Sequence, residues 1–157
     1  MAIRRADDAD REALAQIRYE FVQSKQQQIS PEKERQLKKR LSEYFQKHLN
    51  RDCFGYLAEE NGEIAAVALL VVFEKPANLH FPTGKTGLVM NVYTRPAYRR
   101  RGLATDVLRL MIEDAKKLGL SYLELGATEQ GAPVYRKLGF GAETSGLLAM
   151  ELKLPGE

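Results

Sequence analysis

Two different periods of apolar residues meet in the middle of this chain. From Leu88 to Tyr93 a short, mostly apolar run predicts a strand covered on both faces, and Pro96 ends it. From Leu103 onward the apolar residues recur three, four and seven positions apart, which predicts a helix that ends at Gly119. The residues between Pro96 and Leu103 therefore form a turn that connects a strand to a helix.

This turn carries the residues Arg99-Arg100-Arg101-Gly102-Leu103-Ala104. A helix start leaves about four backbone N–H groups without intrahelical partners, and the aligned peptide dipoles add partial positive charge there. Gly102 has no Cβ, so a phosphate can come close to the backbone, while small Ala104 keeps the first helical turn open. The turn therefore predicts a site for a pyrophosphate with an extended organic tail lying along the strand edge.

The N-terminal part of the chain predicts a short strand and two amphipathic helices. The strand runs from Ala2 to Arg5, and Asp7 is the predicted N-cap of the first helix, with Asp10 three residues on. A polar break from Gln23 to Ile29 separates this helix from a second one, which begins at Ser30-Pro31-Glu32. The apolar faces consist of Leu14, Ile17 and Phe21 in the first helix and of Leu37, Leu41, Phe45 and Leu49 in the second.

Strands dominate the prediction for the rest of the chain. Two apolar runs, from Asp52 to Glu60 and from Glu63 to Glu74, flank Asn61-Gly62, a two-residue turn that favours a tight antiparallel hairpin. Two prolines and two glycines predict a loop from Lys75 to Gly87. The remaining predicted elements are a strand at Tyr122 to Gly126, a short helix near Ala132 to Leu138, and strands near Gly139 to Glu143 and Leu147 to Leu152.

Length and composition fit one globular domain that spans residues 1–157. A content of 44% hydrophobic and 29% charged residues is ordinary, and no apolar run approaches the length of a membrane span. The N-terminal residues MAIRRADDAD lack the apolar core of a signal peptide, which favours a cytoplasmic protein. Cys53 is the only cysteine and there are two histidines, so we expect neither an intrachain disulfide nor a metal site.

The formal net charge of +3 is mild, and Arg95 and Arg99 to Arg101 account for much of the excess. Three adjacent arginines also fit a solvated turn or a nucleic-acid patch, but the glycine, the small residue and the helix start that follow favour phosphate binding. A nucleic-acid-binding protein would need aromatic residues interleaved with a broader basic face. We therefore expect a local anion site, with neither nucleic acid nor a membrane as a partner.

The turn from Arg99 to Ala104, directly after an apolar strand, resembles the acyl-CoA signature of the GNAT superfamily of N-acetyltransferases, which is Arg/Gln-x-x-Gly-x-Gly/Ala. The segment from Ser121 to Phe140, which ends in Tyr-x-x-Leu-Gly-Phe, is similar to the next strand and helix of that family. Together the two segments cover about a third of the chain, in the family's order. The resemblance implies acetyl-CoA as the co-substrate.

The resemblance also implies an α/β (α+β) fold. We expect a GNAT-like central mixed, mostly antiparallel sheet of about seven strands, flanked by about four helices. In the family the parallel central strands, here Leu88 to Thr94 and Tyr122 to Gly126, splay apart, and the pantetheine arm inserts between them. The helix after Gly102 would join these strands by a right-handed crossover. Exposed edge strands near the C-terminus are compatible with a homodimer.

Residue roles follow from the same resemblance. The pantetheine amides would bond to the backbone near Val92 and Thr94, and the amide of Val92 or Tyr93 would meet the oxyanion. Tyr135 stands where the family places the tyrosine that protonates or hydrogen-bonds the CoA sulfur, although an aromatic cap on the core is the alternative. The expected acetyl-CoA-binding residues are Val92, Thr94, Arg99, Arg100, Arg101, Gly102, Leu103, Ala104, Thr105, Thr128 and Tyr135.

The sequence leaves the general base and the acceptor open. Thr128 stands where many family members have an asparagine that bonds the cofactor, and its hydroxyl reaches less far. In the family, specificity comes from segments that correspond here to Arg18 to Gln46 and Lys75 to Gly87. The candidate bases are Glu59, Glu60, Glu124, Asn91 and a water relay to bulk solvent. Tyr19, Phe21, Tyr44 and Phe81 can line an acceptor pocket or belong to the core.

The expected activity is transfer of the acetyl group of acetyl-CoA to a primary amine of a small molecule, by direct attack in a ternary complex. A protein lysine or N-terminal amine is the second choice of acceptor. The rival class is a GNAT-like domain that holds acyl-CoA as a sensor, or that has lost catalysis and acts through a protein partner. The presence of Tyr135 favours the enzyme.

Overall fold

One mixed sheet forms the centre of the computed structural model, which describes residues 1–26 and 28–156. Its five described strands lie side by side in chain order, and the first four pair antiparallel, whereas the fourth and fifth are parallel. The strands are β1 (Ala2–Arg5), β2 (Cys53–Glu60), β3 (Glu63–Glu74), β4 (Lys85–Thr94) and β5 (Leu123–Glu124). The helices are α1 (Arg11–Lys25), α2 (Pro31–His48), α3 (Leu103–Lys117) and α4 (Ala132–Lys137).

Helices cover both faces of the sheet, so the central strands are buried on both sides. The apolar stripe of α3, which includes Val107, Leu108 and Met111, packs in one core with alternate residues of β2 and β3. Leu14 of α1 and Phe45 of α2 lie in a second core with the other residues of these strands. Because side chains alternate between the faces of a strand, the two cores explain the continuous burial of β2 from Cys53 onward, including that cysteine.

Local sequence signals produce several of the predicted ends and turns. Asp7 and Asp10 form a reciprocal capping box on a short 3₁₀ turn that leads into α1, and the Ser30 side chain accepts the Lys33 N–H at 3.3 Å. Asn61 and Gly62 have φ angles of 52° and 79°, which the tight turn of the β2–β3 hairpin requires. The polar break predicted at residues 23–29 begins three residues later than expected, because α1 continues to Lys25. Gln27, which falls within the predicted break, lies outside the described residues.

The prediction of about seven strands was wrong at the C-terminal end. The predicted strands at 139–143 and 147–152 do not form, and the strand at 122–126 is reduced to the two residues of β5. Apolar alternation makes a strand only where a partner edge exists, and β5 offers a very short one. Five large apolar side chains there are 78–88% exposed, namely Leu147, Leu148, Met150, Leu152 and Leu154. The homodimer, which rested on these strands, stays a prediction.

The start of β4 was also misplaced, because Lys85, Thr86 and Gly87 belong to the strand and the loop ends at Gly84. Gly87 donates its N–H to the carbonyl of Tyr122 at 3.0 Å, and the Lys85 carbonyl accepts the Ser121 N–H at 2.8 Å. These bonds join β4 to the segment that leads into β5. The glycines and prolines of this region therefore predicted its loop correctly but placed its end three residues too late.

Among residues 1–26 and 28–156, no helix combines the length and the apolar character needed to cross a membrane.

A side chain at Gly87 would crowd the leucine side chains that pack over the contact between β4 and β5. A Cβ there would lie 2.6 Å from a methyl group of Leu123 and 2.7 Å from one of Leu70. We expect Gly87→Ala to lower the free energy of unfolding by about 1–3 kcal/mol, the usual cost of overpacking. Urea denaturation measures this loss. Gly126→Ala, where a Cβ meets nothing within 4 Å, is the control and should be neutral within about 0.5 kcal/mol; equal stability of the two variants would contradict this packing.

Candidate active site

The two parallel strands stay paired over a very short distance. Gly87 pairs with Leu123 and Leu88 with Glu124, after which β5 ends while β4 continues to Thr94. In the described part of the chain, the later half of β4 therefore has a strand on one side only. Backbone N–H and C=O groups require hydrogen-bond partners, so this open edge is suited to an extended ligand that bonds as an added strand does.

A β-bulge interrupts β4 within this open stretch. Met90 pairs with Leu69 and Tyr93 pairs with Val67, so three steps along β4 match two steps along β3. Asn91 absorbs the additional residue with a φ of 55°, in the left-handed region that asparagine tolerates better than most residues. The bulge changes which residues of β4 direct their backbone groups toward the open edge.

Hydrogen bonding after the bulge identifies those residues. Arg95 donates its N–H to the Ala65 carbonyl at 2.9 Å, and the pairing of Tyr93 places the backbone of that residue on the β3 side as well. Since backbone groups alternate along a strand, Val92 and Thr94 direct theirs to the open edge. Of the two amides expected to meet an oxyanion, the geometry favours Val92 over Tyr93.

The start of α3 lies directly beyond the end of β4 and exposes a row of free backbone N–H groups. The first N–H with a helical acceptor is that of Asp106, which bonds to the Gly102 carbonyl at 3.1 Å. The N–H groups of residues 102–105 have no acceptor within the described ranges. Arg100 and Gly102 have φ angles of 67° and 75°, and such left-handed residues turn successive N–H groups toward a common point. A Cβ at Gly102 would meet nothing within 4 Å, so this concave row is open to solvent.

Arg99 and Arg101 of the turn contact different partners. Arg99 donates from Nε to the Thr94 carbonyl at 3.1 Å, which ties the turn to the end of β4. Arg101 pairs with Glu60 at 3.1 Å and lies over the ring of Tyr98 at 5.4 Å. Exposed ion pairs of this kind contribute little stability, so the Arg101 guanidinium can turn toward a phosphate at small cost. The fixed part of the candidate anion site is therefore the backbone of residues 102–105, whereas the Arg101 side chain is adjustable.

Tyr135 on α4 is half-buried, and its ring packs edge-on against Phe140 with 6.0 Å between centroids. Burial raises the pKa of its phenol, which favours the neutral, proton-donating form. The hydroxyl has no hydrogen-bond partner among the described residues. Tyr135 lines a cleft of about 1280 Å³ that is bounded by α4, β5, the loop at residues 75–81 and the segment at residues 140–149. Thr128, the other expected contact in this region, uses its hydroxyl oxygen to accept the Gly131 N–H at 3.1 Å and keeps its own proton for a ligand.

A second, smaller cavity of about 270 Å³ lies on the other face of β4, between that strand, β3, α1 and α2. Tyr44 lines it, as does Arg18. Tyr19 belongs to the core, with 4% exposure and a hydroxyl that donates to Glu34 at 3.0 Å, and Phe21 packs against Tyr93. Of the aromatic residues that the sequence left between pocket and core, Tyr44 therefore lines this cavity, and Phe81 lines the larger cleft.

Three of the four side chains considered as a general base have structural partners. Glu59 binds Arg4 at 2.6 Å, Glu60 binds Arg101, and Asn91 accepts a hydrogen bond from Arg18. Glu124 is exposed in the larger cleft. Among the described residues, no group of three or more His, Cys, Asp or Glu side chains is placed to hold a metal ion.

The family of the chain follows from comparison with known proteins. The model of the GNAT acetyltransferase family matches residues 14–140. The chain belongs to this family. It is an acetyltransferase with acetyl-CoA as its co-substrate, and the two features that fit acetyl-CoA are the open edge of β4 and the free N–H groups at the start of α3. No curated protein sequence matches the chain.

Solved structures of relatives share the whole fold. A predicted acetyltransferase from Clostridium acetobutylicum, solved with acetyl-CoA, is 32% identical, with a TM-score of 0.80 over 96% of this chain and 95% of that chain. A GCN5-related N-acetyltransferase from Ralstonia eutropha JMP134 is 22% identical, with a TM-score of 0.76 over 95% and 97%. An aminoglycoside acetyltransferase from an uncultured soil metagenomic sample, in complex with sisomicin, is 14% identical, with a TM-score of 0.70 over 98% and 96%. The last two show a common fold only.

Two features of the site were not identified from the sequence. The bulge at Asn91 has a weak signal, since asparagine inside an apolar strand tolerates a positive φ. From the sequence, Arg18 was named only as the first residue of a region expected to govern specificity. Its role in a cavity was missed because it lies among the polar residues of an amphipathic helix, and because the cavity is formed by segments distant in sequence. Neither feature follows from local periodicity.

A carboxylate placed at the helix start should compete with the phosphates. We expect Ala104→Glu to weaken acetyl-CoA binding at least about tenfold without destabilising the fold, because a negative side chain near free N–H groups is favourable for the helix itself. Calorimetric titration with acetyl-CoA and a thermal melt measure the two effects. Arg109→Ala, which removes one positive charge from an exposed part of the same helix, is the charge-matched control. Similar acetyl-CoA affinities for both variants would place the phosphates elsewhere.

Proposed function

We propose that this protein transfers the acetyl group of acetyl-CoA to a primary amine of a small molecule, by direct attack of the amine on the thioester in a ternary complex. The observation that carries the proposal is the open edge of β4 beyond Leu88, which runs toward the free N–H groups of residues 102–105. The smaller cavity is lined by Leu88 and Met90 of β4 and lies on the α1–α2 face of the sheet, whereas the larger cleft lies beside β5 and includes Tyr135. Acetyl-CoA at the open edge would leave the α1–α2 face of β4 to the amine.

Backbone groups of β4 would hold the thioester. Val92 and Thr94 direct theirs to the open edge, although the Thr94 carbonyl already accepts the Arg99 side chain at 3.1 Å. In our proposal the pantetheine arm bonds to this edge, and the Val92 amide donates to the oxygen on which negative charge develops. Because the sheet fixes that amide, no reorganisation is needed during the reaction, and one such donor is typically worth about a hundred- to a thousandfold in rate.

Tyr135 would act on the leaving group. Its hydroxyl has a free proton, its pKa is raised by burial, and it lines the cleft beside β5. A neutral phenol can donate that proton or a hydrogen bond to the sulfur as the carbon–sulfur bond breaks. The phosphates would lie at residues 102–105, with Arg99, Arg100 and Arg101 supplying adjustable charge and Thr128 a further hydroxyl.

The acceptor must lose a proton before it attacks, since an alkyl ammonium ordinarily has a pKa of about 10. Glu59, Glu60 and Asn91 are engaged with arginines, which leaves Glu124, exposed in the larger cleft, and a water relay to bulk solvent as the routes for that proton. The volume of the smaller cavity, about 270 Å³, lies near the lower end for ligand pockets and supports a small molecule over a protein lysine or N-terminal amine. A non-catalytic sensor would not need a proton donor at Tyr135.

A chemical test uses the release of CoA thiol with acetyl-CoA and a panel of primary amines. We expect turnover with at least one small amine and a loss of about a hundredfold in kcat for Tyr135→Phe, the lower limit for a positioned general acid. The dissociation constant of acetyl-CoA, measured by calorimetry, should change less than about threefold, because the ring and its packing remain. Tyr122→Phe is the matched control from the same cleft and should keep wild-type turnover.

The outcomes separate the enzyme from the sensor. Tight acetyl-CoA binding with no thiol release from any amine would favour a sensor. An unchanged kcat in Tyr135→Phe would remove Tyr135 from the mechanism.

The raised pKa of Tyr135 also makes a prediction about pH. Its phenol stays protonated at higher pH than an ordinary tyrosine, whose pKa is about 10, whereas the acceptor amine is increasingly deprotonated as pH rises. We therefore expect kcat/KM to increase from pH 7 to pH 9 by up to about tenfold per pH unit, without an alkaline decrease in that interval. Thiol-release assays across this range measure the profile. A decrease below pH 9 would mean that the group acting as the acid titrates earlier than Tyr135 should.

A further inference from the structure

A single charged residue lines the smaller cavity. Arg18 of α1 is half-buried there, and the other lining residues are apolar or neutral, among them Leu41, Tyr44, Phe73 and Met90. Burial raises the pKa of the Tyr44 hydroxyl, and it raises the pKa of the neighbouring Cys53 thiol to about 11, so both groups stay neutral. The cavity therefore contains one fixed positive charge and no negative charge from its own lining.

The Arg18 guanidinium lacks a carboxylate partner among the described residues. Arg95, for comparison, binds Glu20 at 2.9 Å. Arg18 instead donates from one terminal nitrogen to Oδ1 of Asn91 at 3.2 Å and lies 5.7 Å from the centroid of the Phe21 ring. Desolvation lowers its pKa. An arginine held in an apolar cavity without a counter-ion is costly, and an anion that enters the cavity would offset that cost.

The hydrogen bond to Asn91 places the Arg18 side chain next to the part of β4 where the reaction is proposed to occur. Asn91 is 4% exposed, its left-handed conformation forms the bulge, and it directly precedes Val92, whose amide faces the open edge. Its amide nitrogen is buried without a partner among the described residues. An anion on Arg18 would thus be anchored one residue away from the proposed oxyanion donor. The hydrogen bond between Arg18 and Asn91 therefore connects the charge in the cavity to the part of β4 that carries the proposed donor.

We propose that the acceptor is an amine that also carries an anionic group, with Arg18 as the residue that binds the anion and the apolar lining as the contact for the rest of the molecule. This inference rests on the proposed function, since it describes the acceptor of that reaction. A carboxylate suits the planar guanidinium, which can bind both of its oxygens. Amino acids and compounds like them are the corresponding substrate class, and a phosphate ester of an amine has the same chemistry of recognition.

Matched pairs of acceptors test the proposal. The probes are leucine and leucinamide, phenylalanine and phenylalaninamide, 4-aminobutanoate and 4-aminobutanamide, and phosphoethanolamine and ethanolamine. Each is titrated by calorimetry into the protein saturated with CoA, and each is assayed with acetyl-CoA for thiol release. We expect the anionic member of at least one pair to bind at least tenfold more tightly and to have a KM lower by the same factor. The pair that shows the preference distinguishes a carboxylate from a phosphate.

Variants assign the preference to Arg18. Arg18→Gln keeps a donor for Asn91 but removes the charge, and it should reduce the preference within the pair to less than about threefold. Arg18→Lys should retain part of it, because the charge remains without the planar fork. Lys25→Gln removes the same charge from the same helix, outside the cavity, and should leave the wild-type preference unchanged. Thermal melts establish that the variants are folded.

The outcomes keep this inference apart from the proposed function. Turnover of neutral amines as efficient as that of their anionic partners would overturn the role of Arg18 and leave the acetyltransferase reaction intact. A tenfold binding preference that depends on Arg18, without thiol release, would uphold the anion site and count against the reaction. Equal binding of both members of every pair by the CoA-saturated wild type, or a preference that persists in Arg18→Gln, would overturn the inference.

Discussion

The loss of a hydrogen-bonded partner along β4 is the constraint on which the site depends. A parallel strand that ends two residues after pairing begins leaves backbone N–H and C=O groups of the longer strand without acceptors and donors. Gly87 leaves space for the leucine side chains that pack over this short contact, since a Cβ there would overlap methyl groups of Leu123, Leu70 and Leu120. The cores on both faces hold β4 in place, so the open edge is rigid. That rigidity is what an oxyanion donor requires.

The bulge in β4 and the start of α3 determine which backbone groups face the open edge and where that edge ends. The bulge at Asn91 sets Val92 and Thr94 toward the opening, and the short turn after Thr94 brings the free N–H groups of residues 102–105 to its end. In our proposal, acetyl-CoA bonds to both sets of groups, with its pantetheine arm along the edge and its pyrophosphate at the start of α3. On the α1 face, the Arg18 side chain donates to Asn91 at this bulge, so the proposed acceptor cavity and the proposed acetyl-CoA edge meet at one residue. The bulge at Asn91 thus affects both the open edge of β4 and the cavity on the α1 face.

Sequence patterns predicted the features that depend on neighbouring residues, and they failed for the features that depend on contacts between distant segments. The caps at Asp7 and Ser30, the Asn61-Gly62 turn and the helix after Gly102 follow from residue types at fixed spacing, and the structure contains them. The prediction of two C-terminal strands was wrong, because a segment with apolar alternation needs a partner strand and β5 is only two residues long. The bulge and the isolated charge of Arg18 depend on register and on packing between helices and sheet, which periodicity does not report. The family resemblance supplied the positions of Val92 and Tyr135, and their roles stay predictions.

The central claim is that acetyl-CoA binds by joining the open edge of β4 to the start of α3. Backbone amide NMR on the ¹⁵N-labelled protein tests it directly, because each amide reports its own hydrogen bond. On addition of acetyl-CoA, the amides of Val92 and of residues 102–105 should show the largest shifts and the strongest new protection from hydrogen exchange, while that of Tyr93, bonded toward β3, should change little. Large changes confined to other segments, with these amides unperturbed at saturation, would contradict the account.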